Sequence, residues 1–563
     1  MKRLLYLIHR WAGIAVALFM FIWFTSGLVI MYAGPSALGP AEQLVHREIL
    51  RPEAGWLSLG EAWKISSAQR AVQPKIKLRD EAEATAGVEG AGKKTNNGEW
   101  IVSARLARQA GQPYWLVENG EGQRFALSAI DGTLHKITAA EAMQIAANWV
   151  ASSAEVEGES PLAAQVKYLD SGPQDSSVRN YEALRPFHRF AIGDNGRELL
   201  ISARTGEVIR DSTAFARALY WTGNWIHLLR PVETLGSAAA RHTVQAWSGF
   251  IAAGASLTGL IIGWQRWRPG WAGRRTYSEG RVHPYRDVWN TWHFWVGLIG
   301  GTAALLWALS GYLSTNPWKI FSPADPGKQQ LLRYQGGNAP SSMLNWNPVA
   351  LEPTPEQTEI VELAWQYLGD QAVLLGVTRS GEKIPQRIAG TVAGFGDTTL
   401  LAAAERLARD VPIREHVLQS EYDSYYYPRH HQGSVEKPLP VLRVDLADKA
   451  GTRLYLDPQT GRLLLKQDAS RRVYRWLYSA LHHWDFGWVY LRPVWDVWML
   501  PLVLMGVVLG GTSVVLGWKR LQIEFKPKKK KKRAAVAKPA RAPQAVVPVE
   551  PGGAELSPNL QQQ

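Results

Sequence analysis

Cysteine is absent from all 563 residues. That excludes structural disulfides, thiolate-held iron–sulfur clusters and covalent haem attachment through C-x-x-C-H. It also removes the usual sign of redox compartment. Acidic residues are missing from the centres of the long apolar stretches, where a proton relay would place them. No H-x-x-x-H or His/Asp cluster falls within such a stretch, whereas zinc wants three or four close ligands. No G-x-G-x-x-G fingerprint follows a strand pattern, so no nucleotide or flavin domain is built in.

The chain is too long for one compact core, so several domains are expected. Four stretches are apolar enough to cross roughly 30 Å of hydrocarbon: about 6–32, 243–264, 289–314 and 494–518. Mean hydropathy is nevertheless −0.18, so large water-exposed regions must dilute them. The net charge of +14 is not a nucleic-acid face, because its location argues otherwise. The tail from Lys519 carries +8, segment 264–288 carries +4 and Lys2, Arg3 and Arg10 carry +3, leaving −1 elsewhere. All three sites flank apolar spans, which is a topology signal. Gly263-Trp264-Gln265-Arg266 and Gly517-Trp518-Lys519-Arg520 have the look of interface anchors, with rings at headgroup depth and charges outside.

The positive-inside rule puts the N-terminus, the basic loop and the tail in the cytoplasm, with both long connecting regions outside. The predicted order is helix 1–32, outer region 33–241, helix 242–266, basic loop 267–288, helix 289–315, outer region 316–492, helix 493–518 and tail 519–563. The first span is too long and aromatic for a cleaved signal peptide and lacks a small-residue cleavage site, so a retained anchor is expected. The tail beyond Arg533, rich in Ala, Pro and Gln, reads as disordered.

The chain repeats itself. His9, Trp11, Gly13, Ser26 and Gly27 become His293, Trp295, Gly297, Ser310 and Gly311 when 284 is added. Leu199, Ile201, Thr205 and Gly206 map onto Leu454, Leu456, Thr460 and Gly461 at an offset of 255, and alternation around a T-G turn reads as a β-hairpin. RFALSAIDGTLHKI, Arg124 to Ile137, is a weaker third echo. PLAAQV, AAEAMQIAANWV and TLLAAAERLARDV read as amphipathic helices on those sheets.

Histidine is kept in both copies, in two layers. His9 and His293 lie about a turn inside the cytoplasmic face. At the outer face, His227 maps onto His482 by 255, while the closing Gly-Trp pairs differ by 254, leaving His482 and His483 both open. Copies of a duplicated membrane protein usually pack about a pseudo-twofold axis, which brings His9 towards His293 and His227 towards His482. Two imidazoles facing across a helix bundle are the ligand set of a six-coordinate b-type haem. Gly13 and Gly297 would let a flat macrocycle approach the backbone. The bland reading is that each histidine is an amphipathic interface residue. His242 breaks the symmetry, since its counterpart is Asp496, and is either a substitute ligand or an interface residue.

The H-R-W-x-G at His9, the W-H-x-W-x-G at His293, the L-H-H-W of His482 and the D-S-Y-Y-Y of Asp423–Tyr427 resemble the PepSY-associated transmembrane proteins. The T-G hairpins resemble their periplasmic PepSY domains. The resemblance covers most of residues 1–520 and implies a membrane α-helical bundle of four duplicated transmembrane helices with two periplasmic α+β domains. It further implies a bacterial inner-membrane protein with haem b, expected here as two bis-His groups, and an electron path towards the periplasm. The best-defined type in the family reduces ferric siderophores.

The expected function is therefore reduction of a periplasmic ferric chelate, with the electron supplied by quinol or a cytoplasmic reductase. Tyr425, Tyr426, Tyr427, Arg429, His430 and His431 suit an anionic or hydroxamate-bearing chelate, or else form only an edge strand or domain contact. Trp23, Trp307 and Trp247 are candidate aromatics between the layers. The rival expectations are a haem-free anchored PepSY protein that binds or inhibits periplasmic proteases, and an accessory subunit of a metal transporter.

Overall fold

The computed structural model describes residues 2–34, 37–72, 99–157, 165–173, 178, 181–271, 273–350, 359–409, 411–429 and 436–525. The Lys-rich run and the tail expected to be disordered lie outside these residues. The chain divides into two compact units, Met1–Trp518 and Lys519–Gln563. The second is described only over 519–525, where Arg520 pairs with Glu524 one helical turn on (2.9 Å).

Among the described residues three helices are long and apolar enough to cross a membrane: α1 (Lys2–Ile30), α3 (Ala238–Arg266) and α7 (Val494–Glu524). The fourth expected span is not one straight helix. It is a pair, α4 (Val288–Ile299) and α5 (Gly301–Ser314), bent by 69° at Gly300. Two adjacent glycines make the bend possible and fill no space of their own. A Cβ on Gly301 would lie 2.8 Å from Leu260 on α3, so the chain passes close there because the side chain is missing. The same device joins α7 to α1, where a Cβ on Gly510 would meet the Phe21 backbone at 2.8 Å. Small residues of this kind let apolar helices pack by close approach where lipid removes the hydrophobic drive. At the other end Arg266 bridges the Tyr6 and Tyr285 hydroxyls (3.1 and 2.8 Å), tying the start of α1 to the basic loop.

The connecting regions carry fifteen described strands in three sheets. The first region gives β1 (Ile101–Gln109), β2 (Gln112–Asn119), β3 (Arg124–Ser128) and β4 (Leu134–His135), then β5 (Val166–Gly172), β6 (Phe187–Ile192), β7 (Arg197–Ser202) and β8 (Val208–Ser212). The second gives β9 (Ile360–Leu368), β10 (Gln371–Thr378), β11 (Lys383–Pro385), β12 (Ile413–Gln419), β13 (Val441–Leu446), β14 (Arg453–Leu456) and β15 (Leu463–Gln467). Sheets β5-β6-β7-β8 and β12-β13-β14-β15 have the same antiparallel order. Each contains a T-G hairpin whose glycine takes positive φ (Gly206 71°, Gly461 67°), as the repeat led one to expect. The weaker echo forms the hairpin β3–β4. The expected amphipathic helices appear as α2 (Ala139–Glu157) and α6 (Asp397–Ala408). PLAAQV does not follow them: Val166 opens strand β5, and residues 161–164 lie outside the described set.

The two regions do not fold apart. β1 pairs antiparallel with β9, making one seven-stranded sheet in the order β11-β10-β9-β1-β2-β3-β4. Gln112 and Gln371 open equivalent strands, an offset of 259, and at that offset Arg105 corresponds to Ala364, the residue it pairs with. Equivalent residues thus meet across a local twofold. Beside this seam Arg105 reaches Glu207 (2.7 Å) and Glu362 (3.1 Å), and Arg47 reaches the same two carboxylates. Burial pushes the Glu207 carboxyl up, but Arg105, Arg124 and Arg47 outweigh it and hold it at about 2.

Candidate functional site

The outer histidines are built twice by one local recipe. Thr213 caps a short helix by accepting from the Ala216 amide (3.1 Å), and Asp468 does the same for Arg471 (2.8 Å). Each helix widens into a π-turn, Trp221–Ile226 and Arg475–Ala480, of the kind often found at functional sites. His227 follows the first and His482 lies two residues past the second. Each helical stretch then stops at a left-handed residue, Leu229 or Trp484, two positions after the histidine. The result places the His227 and His482 rings opposite one another, centroids 6.3 Å apart and planes 70° apart.

The inner histidines ride on the spans themselves. His9 on α1 and His293 on α4 also face one another with centroids 6.3 Å apart. Along α1, His9 and Ser26, which touches His227, are separated by about 25 Å of helix. The two pairs therefore form two well-separated layers.

Hydrogen bonds fix which nitrogen of each ring is free. His9 Nδ1 lies 3.0 Å from the Ala255 carbonyl, which only accepts, so Nδ1 carries the proton. The Ser26 hydroxyl donates to the Ile22 carbonyl (2.6 Å) and accepts from His227 Nδ1 (3.0 Å). Ser310 repeats this, donating to Trp307 O and accepting from His482 Nδ1 (3.0 Å). Thr512 donates to Val508 O and accepts from His293 Nδ1 (3.2 Å). All four rings are thereby assigned as Nδ1–H tautomers, with the Nε2 lone pairs turned away from these partners. Among the described residues no hydrogen bond reaches any of the four Nε2 atoms.

This is the arrangement metal-binding imidazoles adopt: one nitrogen oriented by a hydrogen bond, the other left to ligate. With metal–nitrogen bonds of about 2 Å on each side, two axial imidazoles have centroids about 6 Å apart. Both pairs have that spacing. Space for a flat group is present as well. A Cβ on Gly13 would meet nothing within 4 Å, and a cavity of about 1060 Å³ opens beside His227 and His482. The residues present therefore fit haem b by ring spacing in both layers and by open space at the outer pair, whereas at the inner pair a Cβ on Gly297 would meet Leu509 at 3.5 Å.

The same amino acids match a known family over residues 6–369, the PepSY-associated TM region. The chain belongs to the PepSY-associated transmembrane family. It is a membrane protein of this family, and a search of curated proteins found no match. Within this PepSY-associated protein, the other residues singled out in the sequence separate clearly. His482, not His483, faces His227; His483 turns its Nδ1 towards the Ser479 carbonyl (3.3 Å) and lines the same cavity. His242 lies exposed on α3 and joins neither pair. Trp247 is 62 % exposed on the outside of α3 and does not lie between the layers. Trp23 and Trp307 lie on the inner side of the outer pair, each about a turn before the serine that meets it, and each donates its indole N–H to the backbone carbonyl of an outer histidine, His227 or His482, at 3.0 Å.

The tyrosine platform is corrected too. Tyr426 is fully buried, stacked on Tyr455 at 5.1 Å and donating to Pro438 O, so it is core and cannot meet a substrate. Tyr427 donates to the buried Asp485 (2.6 Å), and burial together with that carboxylate pushes its phenol up. Tyr425 is half-buried, with its amide held by Asp423. Arg429 reaches the cavity, and His430 and His431 lie outside the described residues. Sequence reasoning missed Thr258, whose hydroxyl lies 3.4 Å from His9 Nδ1, as well as Thr512 and Phe24. Phe24 meets Trp307 edge-on at 5.8 Å and lines the inner end of the cavity. Ser26 and Ser310 were visible as repeated identities, but not as the hydroxyls that orient the rings.

Proposed function

We propose that this chain is a bacterial inner-membrane electron conduit that reduces a ferric chelate, such as a siderophore, on the periplasmic side. In this reading α4 and α5 together form the fourth span, the termini are cytoplasmic, and the strand-bearing regions are periplasmic. His9 with His293 and His227 with His482 would each hold one haem b. The observation that supports it is the duplicated pair of rings, each with Nδ1 engaged and Nε2 free, at the separation two axial ligands need. Haem b, when bound there, would supply reversible one-electron chemistry.

The chain's own residues do the rest. Ala255, Ser26, Ser310 and Thr512 hold the rings in the ligating tautomer. Trp23 and Trp307 lock the outer histidine backbones. Phe24 and Trp307 fill the interior on the inner side of the outer pair and keep water from it. With an imidazole on each side to hold the group, the ferric chelate would be reduced without binding its iron. One electron converts Fe(III) to Fe(II), which is softer and less charged and is held far more weakly by hard oxygen donors. That electron would come from quinol or a cytoplasmic reductase.

The test is single turnover. Protein reduced with dithionite and freed of excess is mixed with a ferric hydroxamate in the presence of a ferrous trap. Loss of the reduced α-band with stoichiometric Fe(II) trapping is expected; a reduced band that persists overturns the assignment. A binding or protease-inhibiting protein is the second reading, favoured by the exposed edge strands β5 and β12. That reading requires no colour at all.

A further inference from the structure

The cavity beside the outer pair has two unlike ends. Inward, level with the middle of α1, it is lined by Met20, Phe24, Ala304 and Val503. Outward, past the end of α1, it is lined by Arg429, Tyr490 and Arg492, with the carboxylates Glu42, Glu436 and Asp485 beside them. His227 and His482 stand between, at the level of Ser26. A haem is an apolar disc with two carboxylates on one edge. Burying an ionised carboxylate among apolar side chains is costly unless a cation meets it, and arginine meets carboxylates with a planar fork of donors.

Resting on the haem reading above, we infer that Arg429 and Arg492 receive the propionate carboxylates of the outer haem and so set its orientation. The propionate edge faces the periplasmic mouth and the apolar edge faces Phe24 and the inner pair. Both arginines are held in place without being shut away. Arg492 pairs with Asp496 (3.1 Å) and lies over the Trp495 ring at 5.0 Å, with its side chain 41 % exposed. Arg429 donates to the Ser479 hydroxyl (2.9 Å) and stands 3.9 Å from Asp485, with 47 % of its side chain exposed. Ser479 is three residues before His482, so this contact ties one cation to the ligand's own helical turn. The same geometry puts two cations where a ferric chelate would approach. They are positioning residues, since they touch neither iron.

The test is potentiometric titration of the detergent-purified holoprotein, followed in the α-band. The outer component is identified as the one missing from His227→Ala. Removing positive charge beside the propionates favours the more positive, oxidised centre. Arg429→Gln and Arg492→Gln should therefore lower the outer midpoint, the double variant most, and leave the inner midpoint where it is. Arg429→Lys and Arg492→Lys keep the charge and should recover most of the fall, which a merely structural role would not produce. Two haems with an unmoved outer midpoint in the double variant, or equal movement of both midpoints, would overturn this inference alone. A protein without haem would overturn it together with the function it rests on.

Discussion

The inner pair, His9 and His293, sits on α1 and α4 and leans on the two neighbouring spans, through the Ala255 carbonyl and the Thr512 hydroxyl. The outer pair, His227 and His482, sits just past two π-turns outside the spans and leans back on them, through Ser26 of α1 and Ser310 of α5. Both arrive at a centroid separation of 6.3 Å. One separation reached by two constructions points to the pairing as what the fold is arranged around. The surroundings also differ. The outer pair opens on a cavity that runs beyond the membrane helices, whereas in the inner pair the His9 ring packs against helix backbone at Gly259.

The strongest way to break this comparison is to remove one ring at a time. His227→Ala should reduce haem from about two per chain to about one, and His9→Ala should do the same. The two losses should be of different spectral components, resolved by potentiometry. Next is the seam between the outer regions. Glu207 has its carboxyl at about 2, below its ordinary 4.5, so its contribution is fully present above pH 4.5 and is lost as pH falls towards 2. Glu207→Gln leaves Arg105 short of a buried partner and should cost about 3 kcal/mol. Thermal unfolding followed by tryptophan fluorescence should show that loss at pH 7, and the variant should show less further loss between pH 4.5 and 2 than the parent.

A narrower cut sharpens the difference between the layers. A Cβ on Gly259 would stand 2.8 Å from His9 Cε1, so Gly259→Ala should displace that ring at a cost of about 1–3 kcal/mol. The inner component should shift or vanish and the outer should not. Ser26→Ala removes only the oxygen that orients His227, and should weaken outer haem retention about tenfold. His242→Ala should change neither component, because that side chain is exposed and joins neither pair.

Much of this site was legible in the sequence. An offset of 284 tied His9 to His293, and an offset of 255 tied His227 to His482, because a duplicated fold places equivalent residues about one axis. The T-G hairpins were legible because a tight turn needs positive φ at Gly206 and Gly461. Other features were out of reach for physical reasons. The β1–β9 seam joins residues more than 250 positions apart, and no local pattern encodes such pairing. Apolar composition marks a span but not its straightness, so the bend at Gly300 was hidden. Three consecutive tyrosines look like a surface, yet Asp423 turns the chain so that Tyr426 enters the core. The choice between His482 and His483 needed the helical phase after the π-turn, which an offset good to one residue cannot give.

The central claim is that each histidine pair holds a haem. The most direct measurement is the haem content per chain of the purified protein, with oxidised and dithionite-reduced spectra of the parent, His9→Ala and His227→Ala. The expected result is a sharp reduced α-band, about two haems in the parent and about one in each variant. A colourless protein from haem-replete cells, or a full complement of haem in both variants, would contradict it.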